Sequence, residues 1–300
     1  MNRRPMVFGE VLFDRFPDGR SVLGGAPFNV AWHLQAFGLS PLMVSRIGRD
    51  RAGEDVLEAM RGAGMHRSGI GLDDDLPTGS VDIRFDNGEP QYTIVRPVAW
   101  DAISVPGDAA ADGWLYHGSL ALRSEASRST LERLRAQPGA PVFVDVNLRD
   151  PWWSRDGVLD MLAHARWAKL NEHELAELSG AGDSPLAERA AAFAAHHQLQ
   201  GLLVTCGDRG ALTVEAGGRV TVSGPPPVVD VVDTVGAGDA FSAVFLLGLQ
   251  RQWVVSTALE RALAFAGAVC TLRGATPESA DFYSPFLSDW NLQQEHERHV

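Results

Sequence analysis

The stretch Asp233-Thr234-Val235-Gly236-Ala237-Gly238-Asp239-Ala240-Phe241 runs a glycine turn straight into a helical pattern, with Ala240, Phe241, Val244 and Phe245 on one side. Such a turn aims unpaired backbone N–H groups, and the positive end of the helix dipole, at one point. That is a site for an anion. Asp239 falls in the first helical turn, beside the place where a phosphoryl group would rest. A carboxylate there is awkward for binding alone, but it is what a general base for an attacking hydroxyl requires. The plainer alternative is a glycine turn whose Asp239 only steadies the helix start.

Outward from this stretch, short apolar runs alternate with amphipathic segments. Pro5 to Phe8, Leu42 to Ser45, Trp114 to Tyr116, Val142 to Val146, Trp167 to Leu170 and Leu202 to Thr205 read as buried strands. Between them, Val30, Ala31, Leu34 and Phe37 share a helical face, as do Val56, Leu57 and Met60, and Leu131 with Leu134. Ser184-Pro185 reads as an N-cap followed by proline in the first turn, and Thr257 with Glu260 as a capping box. The alternation predicts an α/β fold, a mostly parallel sheet between helices. One stretch breaks the rhythm. Val81, Ile83 and Phe85 alternate with Asp82, Arg84 and Asp86, then Asn87-Gly88 leads to Gln91 through Arg96. Asn-Gly between two period-2 segments signals a hairpin. It reads as a small lid, or as an edge for contact with a second copy in a homodimer; the alternative is an edge hairpin packed on the main body. A second hairpin is expected from Ala211 to Val222, turning at Gly217-Gly218, and Pro225-Pro226-Pro227 reads as a stiff connector.

The composition narrows the function. Three hundred residues, 45% hydrophobic and 21% charged, exclude a disordered chain or a disulfide-stapled miniprotein. The formal charge of −12 argues against nucleic acid as the main partner. Two cysteines, Cys206 and Cys270, suggest a reducing compartment. The amino terminus carries no apolar signal core, and the apolar run from Phe241 to Leu249 is too short for a membrane span. The expectation is a cytoplasmic protein with no membrane partner.

The Asp233–Phe241 stretch resembles the carboxy-terminal signature of the ribokinase-like (PfkB-type) carbohydrate kinases. Gly24-Gly25-Ala26-Pro27-Phe28-Asn29-Val30-Ala31 resembles that family's sugar-binding signature, and Asn171-Glu172-His173-Glu174 its Asn-x-x-Glu element. Val204-Thr205-Cys206-Gly207-Asp208-Arg209-Gly210 is similar to its nucleotide-side turn. The matches follow the family's order from about residue 8 to 280. Gly9-Glu10-Val11-Leu12-Phe13-Asp14 ahead of Gly-Gly-Ala-Pro-x-Asn looks closest to the fructokinase branch.

The resemblance implies an ATP-dependent sugar kinase of one domain, residues 1–300, with a lid from about 78–100 and part of 10–24. Asp239 becomes the base, and the N–H groups of Gly236, Ala237 and Gly238 the anion hole. Asp14, at the end of the first strand, accepts two bonds from vicinal sugar hydroxyls. Gly24 and Gly25 let the ring approach the backbone, and Asn29 offers donor and acceptor, or caps the following helix. The family places a sugar-contacting arginine at Arg96. Asn147 and Arg149 follow a buried strand, at the edge where open α/β sheets bind ligands; Arg149 faces either phosphate or acceptor. Asn171, Thr205, Gly207 and Gly210 are assigned to the nucleotide. Glu174 is assigned to Mg²⁺ through water, the alternative being a solvated helix glutamate. Asp233 is expected to hold a potassium ion with backbone oxygens near Val235, Val269, Leu272 and Gly274. Fructose is the expected acceptor; 2-keto-3-deoxygluconate, another sugar or a nucleoside is the rival within the family, and a non-catalytic sugar or nucleotide sensor the rival outside it. Three features are set aside. His173-Glu174-Leu175-Ala176-Glu177 lacks the second histidine of a zinc helix, His196-His197 reads as a solvated helix end, and Trp152-Trp153 as packing.

Overall fold

The apolar runs become strands that are buried on both faces, so each feeds two cores. Met6, Phe8, Leu42, Val44, Val142, Val144, Ala168, Leu170, Leu202 and Val204 face one core. Val7, Met43, Ile47, Phe143, Trp167 and Leu203 face the other. The period-2 geometry of a strand makes this division. A computed structural model describes residues 4–86, 89–105, 113–137, 139–180, 182–224 and 230–292; Asn87-Gly88 and Pro225-Pro226-Pro227 lie outside them.

In chain order the strands are β1 (Met6–Phe8), β2 (Leu12–Arg15), β3 (Ser21–Gly24), β4 (Leu42–Gly48), β5 (Ile70–Asp73), β6 (Gly79–Asp86) and β7 (Glu89–Ile94). They continue as β8 (Leu115–His117), β9 (Val142–Asp145), β10 (Trp167–Asn171), β11 (Gly201–Thr205), β12 (Ala211–Glu215) and β13 (Val220–Ser223). The helices are α1 (Ala26–Ala36), α2 (Arg51–Gly62), α3 (Glu125–Arg135), α4 (Arg155–Ala163), α5 (Glu172–Ser179), α6 (Leu186–His196), α7 (Ala237–Gln250), α8 (Val255–Val269) and α9 (Ser284–Asp289). Among the described residues the main sheet has the order β13-β12-β11-β10-β9-β8-β1-β4-β5, parallel apart from β12 and β13. Helices α1, α2, α7 and α8 cover one face, and α3 to α6 the other. No helix among the described residues is long and apolar enough to cross a membrane.

A second sheet, β3-β2-β6-β7, stands apart, with β6 and β7 antiparallel and β2 parallel to β6. Its apolar face is buried at the root and open towards the tip: Val81 and Ile83 are 7% and 6% exposed, whereas Phe85 and Tyr92 on the same side are 59% and 63% exposed. The Ala211–Val222 hairpin forms as expected.

Local expectations shift in four places. Helix α8 begins at Val255 with Val254 as N-cap, so Thr257 and Glu260 are interior positions and form no capping box. Pro185, not Ser184, caps α6. Gly25, not Asn29, caps α1, because Pro27 already sits in the first turn. Asp14 is on β2 of the small sheet rather than at the end of the first strand, which stops at Phe8 before a bend at Gly9.

Candidate active site

The ligand edge of a parallel sheet lies beyond the carboxyl ends of its strands, where strand order reverses. Here the chain leaves β1 for β4 on one side and later returns to β8 on the other. Of the predicted residues, Asp14, Gly24, Asn29 and Asp239 come together through direct contacts. Helix α7 starts at Gly236, which is left-handed (φ +78°) and in contact with Ala275, where a Cβ would collide with the neighbouring chain. Its first internal bond runs from Ala240 N–H to Gly236 O, so the N–H groups before it have no partner within the helix. One differs from expectation: Ala237 N–H donates to Thr234 O at 3.3 Å and is turned into the loop. The N–H groups of Gly238 and Asp239 precede that first bond and so have no partner within the helix.

Asp239 accepts a hydrogen bond from Asn29 Nδ2 at 2.8 Å across 210 residues of chain. Burial pushes its carboxyl up to about 6; the Asn29 bond opposes this and Asp145 adds to it. The remaining Asn29 oxygen, Oδ1, is buried without a partner. A Cβ on Gly24 would sit 3.8 Å from both Asn29 Oδ1 and Asp14 Oδ2, so these two acceptors converge on a space that the missing side chain leaves open. Burial also raises the Asp14 carboxyl. Gly25 has a different reason to be glycine. Its φ is +107°, and a Cβ would lie 2.7 Å from the Glu10 carbonyl oxygen.

Four contributors escape a reading based on motifs. Lys169 Nζ lies 3.2 Å from where a Gly238 Cβ would be, so Gly238 is bare because an ammonium stands behind it. Lys169 pairs with Asp145 at 3.0 and 3.2 Å. Asp145 also accepts from Ser242 Oγ at 2.7 Å and Tyr116 OH at 3.3 Å, anchoring the first turns of α7 to the sheet. Burial works against the Lys169 charge, but Asp145 and Glu174 hold the ammonium above its ordinary range. Glu10, 3% exposed with Oε2 unpartnered, is the third. Burial pushes its carboxyl up to about 7; Asp239 adds to the rise, while Arg149 and Arg123 offset it. Arg149 itself is exposed, with its Nη1 donating to Leu148 O at 2.9 Å. His33, the fourth, is treated below. A charge inside an apolar strand run was the available signal for Lys169 and Asp145, which are register partners on β10 and β9.

On the other side, Asn171 caps α5: its Oδ1 accepts from Glu174 N–H at 2.8 Å. Glu174 is buried, and its oxygens accept the N–H groups of Asn171 and Leu148, each at 2.8 Å. It is therefore not the solvated glutamate of the alternative reading. Each of its oxygens keeps a lone pair, which suits a hydrated hard cation. Asn147 is left-handed (φ +43°), with its carbonyl held by Ser119 Oγ. Thr205 ends β11; a Cβ on Gly207 would meet nothing, whereas Gly210 is packed under Ser223 and Gly224 and presents no open face. Asp233 accepts Val235 N–H at 3.0 Å and Gly274 N–H at 3.1 Å, knitting the loop to the turn after α8. Each Asp233 oxygen keeps a lone pair that a cation could take, while the Val269 carbonyl already accepts Leu272 N–H at 2.9 Å. Arg96 is exposed and stacks over Trp152 at 5.5 Å, with Arg123 over Trp152 at 4.8 Å, so Trp152 packs between two guanidinium groups.

Comparison with known proteins agrees with this geometry. The family model described as pfkB family carbohydrate kinase matches residues 8–281. The fructokinase of Klebsiella pneumoniae is 36% identical over 96% of this chain and 98% of its own, and that of Salmonella typhimurium 34% identical over 98% and 100%. Among solved structures, aminoimidazole riboside kinase from Salmonella enterica, complexed with aminoimidazole riboside and an ATP analog, superposes with a TM-score of 0.81. It is 27% identical and covers 95% of this chain and 99% of that one. The fold is ribokinase-like, as the motifs implied.

Proposed function

The chain belongs to the pfkB family of carbohydrate kinases, and on that footing we propose that it carries the γ-phosphoryl group of ATP to a primary hydroxyl of a ketohexose, with fructose preferred. The observation that carries the reading is the Asn29–Asp239 bond, which ties a polar pocket to a carboxylate at a helix start. Asp14 and Asn29 receive the sugar hydroxyls in the space left by Gly24. Asp239 takes the proton of the attacking hydroxyl as its oxygen bonds to the γ-phosphorus and the bond to the ADP oxygen breaks. A carboxyl held near 6 is ionised at neutral pH, yet more basic than an ordinary aspartate. The N–H groups of Gly236, Gly238 and Asp239 receive the transferring charge, with the Lys169 ammonium fixed behind them. Asn171, Thr205 and Gly207 face the nucleotide. Glu174 would hold Mg²⁺ through water, supplying charge neutralisation at the phosphates. Asp233 and the surrounding carbonyls would hold potassium beside the anion hole.

Neutral-hydroxyl recognition supports fructose over an acid, because a site built to pair hydroxyls rejects analogues that leave its polar groups unpaired. Arg149, whose charge opposes the rise of both the Asp239 and Glu10 carboxyls, is the residue a carboxylate would seek. The deciding experiment is a panel of fructose, ribose, adenosine, aminoimidazole riboside and 2-keto-3-deoxygluconate with ATP, read by ADP release. Fructose is expected to give the highest kcat/KM. A higher value for the keto acid or a riboside ends the fructose assignment and leaves the kinase standing.

A further inference from the structure

We propose that His33 is a positioning residue for phosphoryl transfer, holding the Gly274–Ala275 turn against Gly236 and so fixing the start of α7. The inference rests on the kinase reading above.

His33 stands on α1, one helical turn after Asn29, and is 0% exposed. Its Nε2 lies 3.1 Å from the Ala275 carbonyl oxygen and its Nδ1 2.8 Å from the Tyr283 hydroxyl. A carbonyl only accepts, so Nε2 carries the proton, and Nδ1 accepts from Tyr283. Burial drives the imidazole down to about 3, so at working pH it is neutral and this tautomer is kept. Phe265, edge-on at 5.1 Å, sets the plane of the ring.

What His33 grips is the wall of the anion hole. Gly236 touches Ala275 so closely that a Cβ would come within 2.5 Å of the Ala275 Cα. Any displacement of Ala275 is therefore passed to Gly236, the N-cap of the helix that carries Asp239. Asp233 ties the same turn a second time through Gly274 N–H. Helix α1 thus meets the transfer site twice, directly through Asn29 and indirectly through His33 and Ala275. Asn29 borders the pocket. His33 is sealed from it, so its removal should act on turnover and not on sugar binding.

The test compares kcat, the KM values for sugar and ATP, and thermal melting for H33F, H33Q, A275G and D239N. H33F loses the donor to Ala275, and kcat is expected to fall about 10²-fold, the scale of a misplacement near 1 Å. The sugar KM should stay within about threefold of wild type, because Asp14 and Asn29 are untouched. H33Q keeps an amide N–H able to reach the carbonyl and should recover roughly tenfold of the loss. A275G keeps the bond but removes the methyl against Gly236, and should lower kcat about tenfold. Folded H33F with kcat within threefold of wild type overturns the proposal, as does a loss seen only in sugar KM. If H33F does not fold, A275G decides, and unchanged turnover there overturns it. A wild-type protein that phosphorylates no sugar, or an active D239N, breaks the kinase reading instead.

Discussion

The two sheets of this molecule solve opposite problems. Strands β1, β8 and β9 of the large sheet are buried throughout, with helices on both faces. In the small sheet, β3 is mostly exposed, and β6 goes from buried at Gly79 to exposed at Asp86. Its root is nonetheless pinned: Arg123 pairs with Asp101 at 2.7 and 2.9 Å and donates to Val95 O at 2.8 Å, just beyond β7. The proposed acceptor pocket draws on both. Asp239 and Asn29 ride on helices packed against the large sheet, while Asp14 and Gly24 come from the small one. On the proposed reading the chemistry comes from the buried half, and acceptor contact is shared between Asn29 of that half and Asp14 of the exposed one.

The largest expected effect tests that division of labour. D239N should lower kcat by roughly 10²- to 10⁴-fold, the range for a lost general base, with sugar KM little changed because the side chain stays nearly isosteric. D14A should do the reverse, raising sugar KM about 10- to 100-fold through lost charge-assisted bonds worth roughly 1.5–3 kcal/mol, with a smaller change in kcat. Steady-state kinetics on both variants checks the pair. Near-wild-type turnover in D239N removes the base, and a D14A defect confined to kcat erases the distinction between the halves.

Stability should divide along the same line. Phe245 on α7 is fully buried and packs against Phe143, Trp167 and Phe241 at centroid distances of 5.1–6.5 Å. F245A should cost about 3–5 kcal/mol by denaturant unfolding, from lost burial plus a cavity. F85A, at a position 59% exposed on the small sheet, should stay within about 0.5 kcal/mol. Equal losses in the two variants would mean that the small sheet's outer face is covered in solution.

How far the sequence could be read follows from which signals are local. The strand runs and the glycine signatures were legible because period-2 burial and left-handed turns are properties of neighbouring residues. Lys169 was not, because its reason is a register: it faces Asp145 across two strands and Gly238 across to a helix. Read alone, it is one polar residue in an apolar run. His33 looks like an ordinary buried histidine until Ala275, 242 residues on, arrives at its Nε2. In the sequence Glu10 is one charge two residues past the first apolar run; that its Oε2 is buried without a partner is a fact of packing. The helix starts at Pro185 and Val254 depart from the local capping signals for the same reason. Local capping preferences were outweighed by where the helix meets the core.

The smallest effect comes from the protons. Burial raises the Asp239 carboxyl from 3.8 to about 6 in the folded chain. Between those values the native state binds the proton more tightly than the unfolded state does, so stability falls as pH rises through the interval. Above about 6 both states are ionised and the cost of the buried charge is complete; below about 4 both are protonated and it is gone. Asn cannot ionise, and its side-chain oxygen still accepts from Asn29, so D239N should be more stable than wild type at pH 8. The gain is at most on the order of 3 kcal/mol, since the rise spans about two pKa units and each corresponds to about 1.4 kcal/mol. It should vanish by about pH 4, and the wild-type kcat should drop about tenfold per unit below pH 6 as the base protonates. Asp14 is raised in the same direction by burial alone, without the neighbouring carboxylate that Asp239 has in Asp145, so D14N should gain less. Urea midpoints at pH 4 and pH 8 measure all three proteins. If D239N shows no advantage at pH 8, the charge of Asp239 is not held against desolvation, and the base is no more costly to the buried half than Asp14 is to the exposed one.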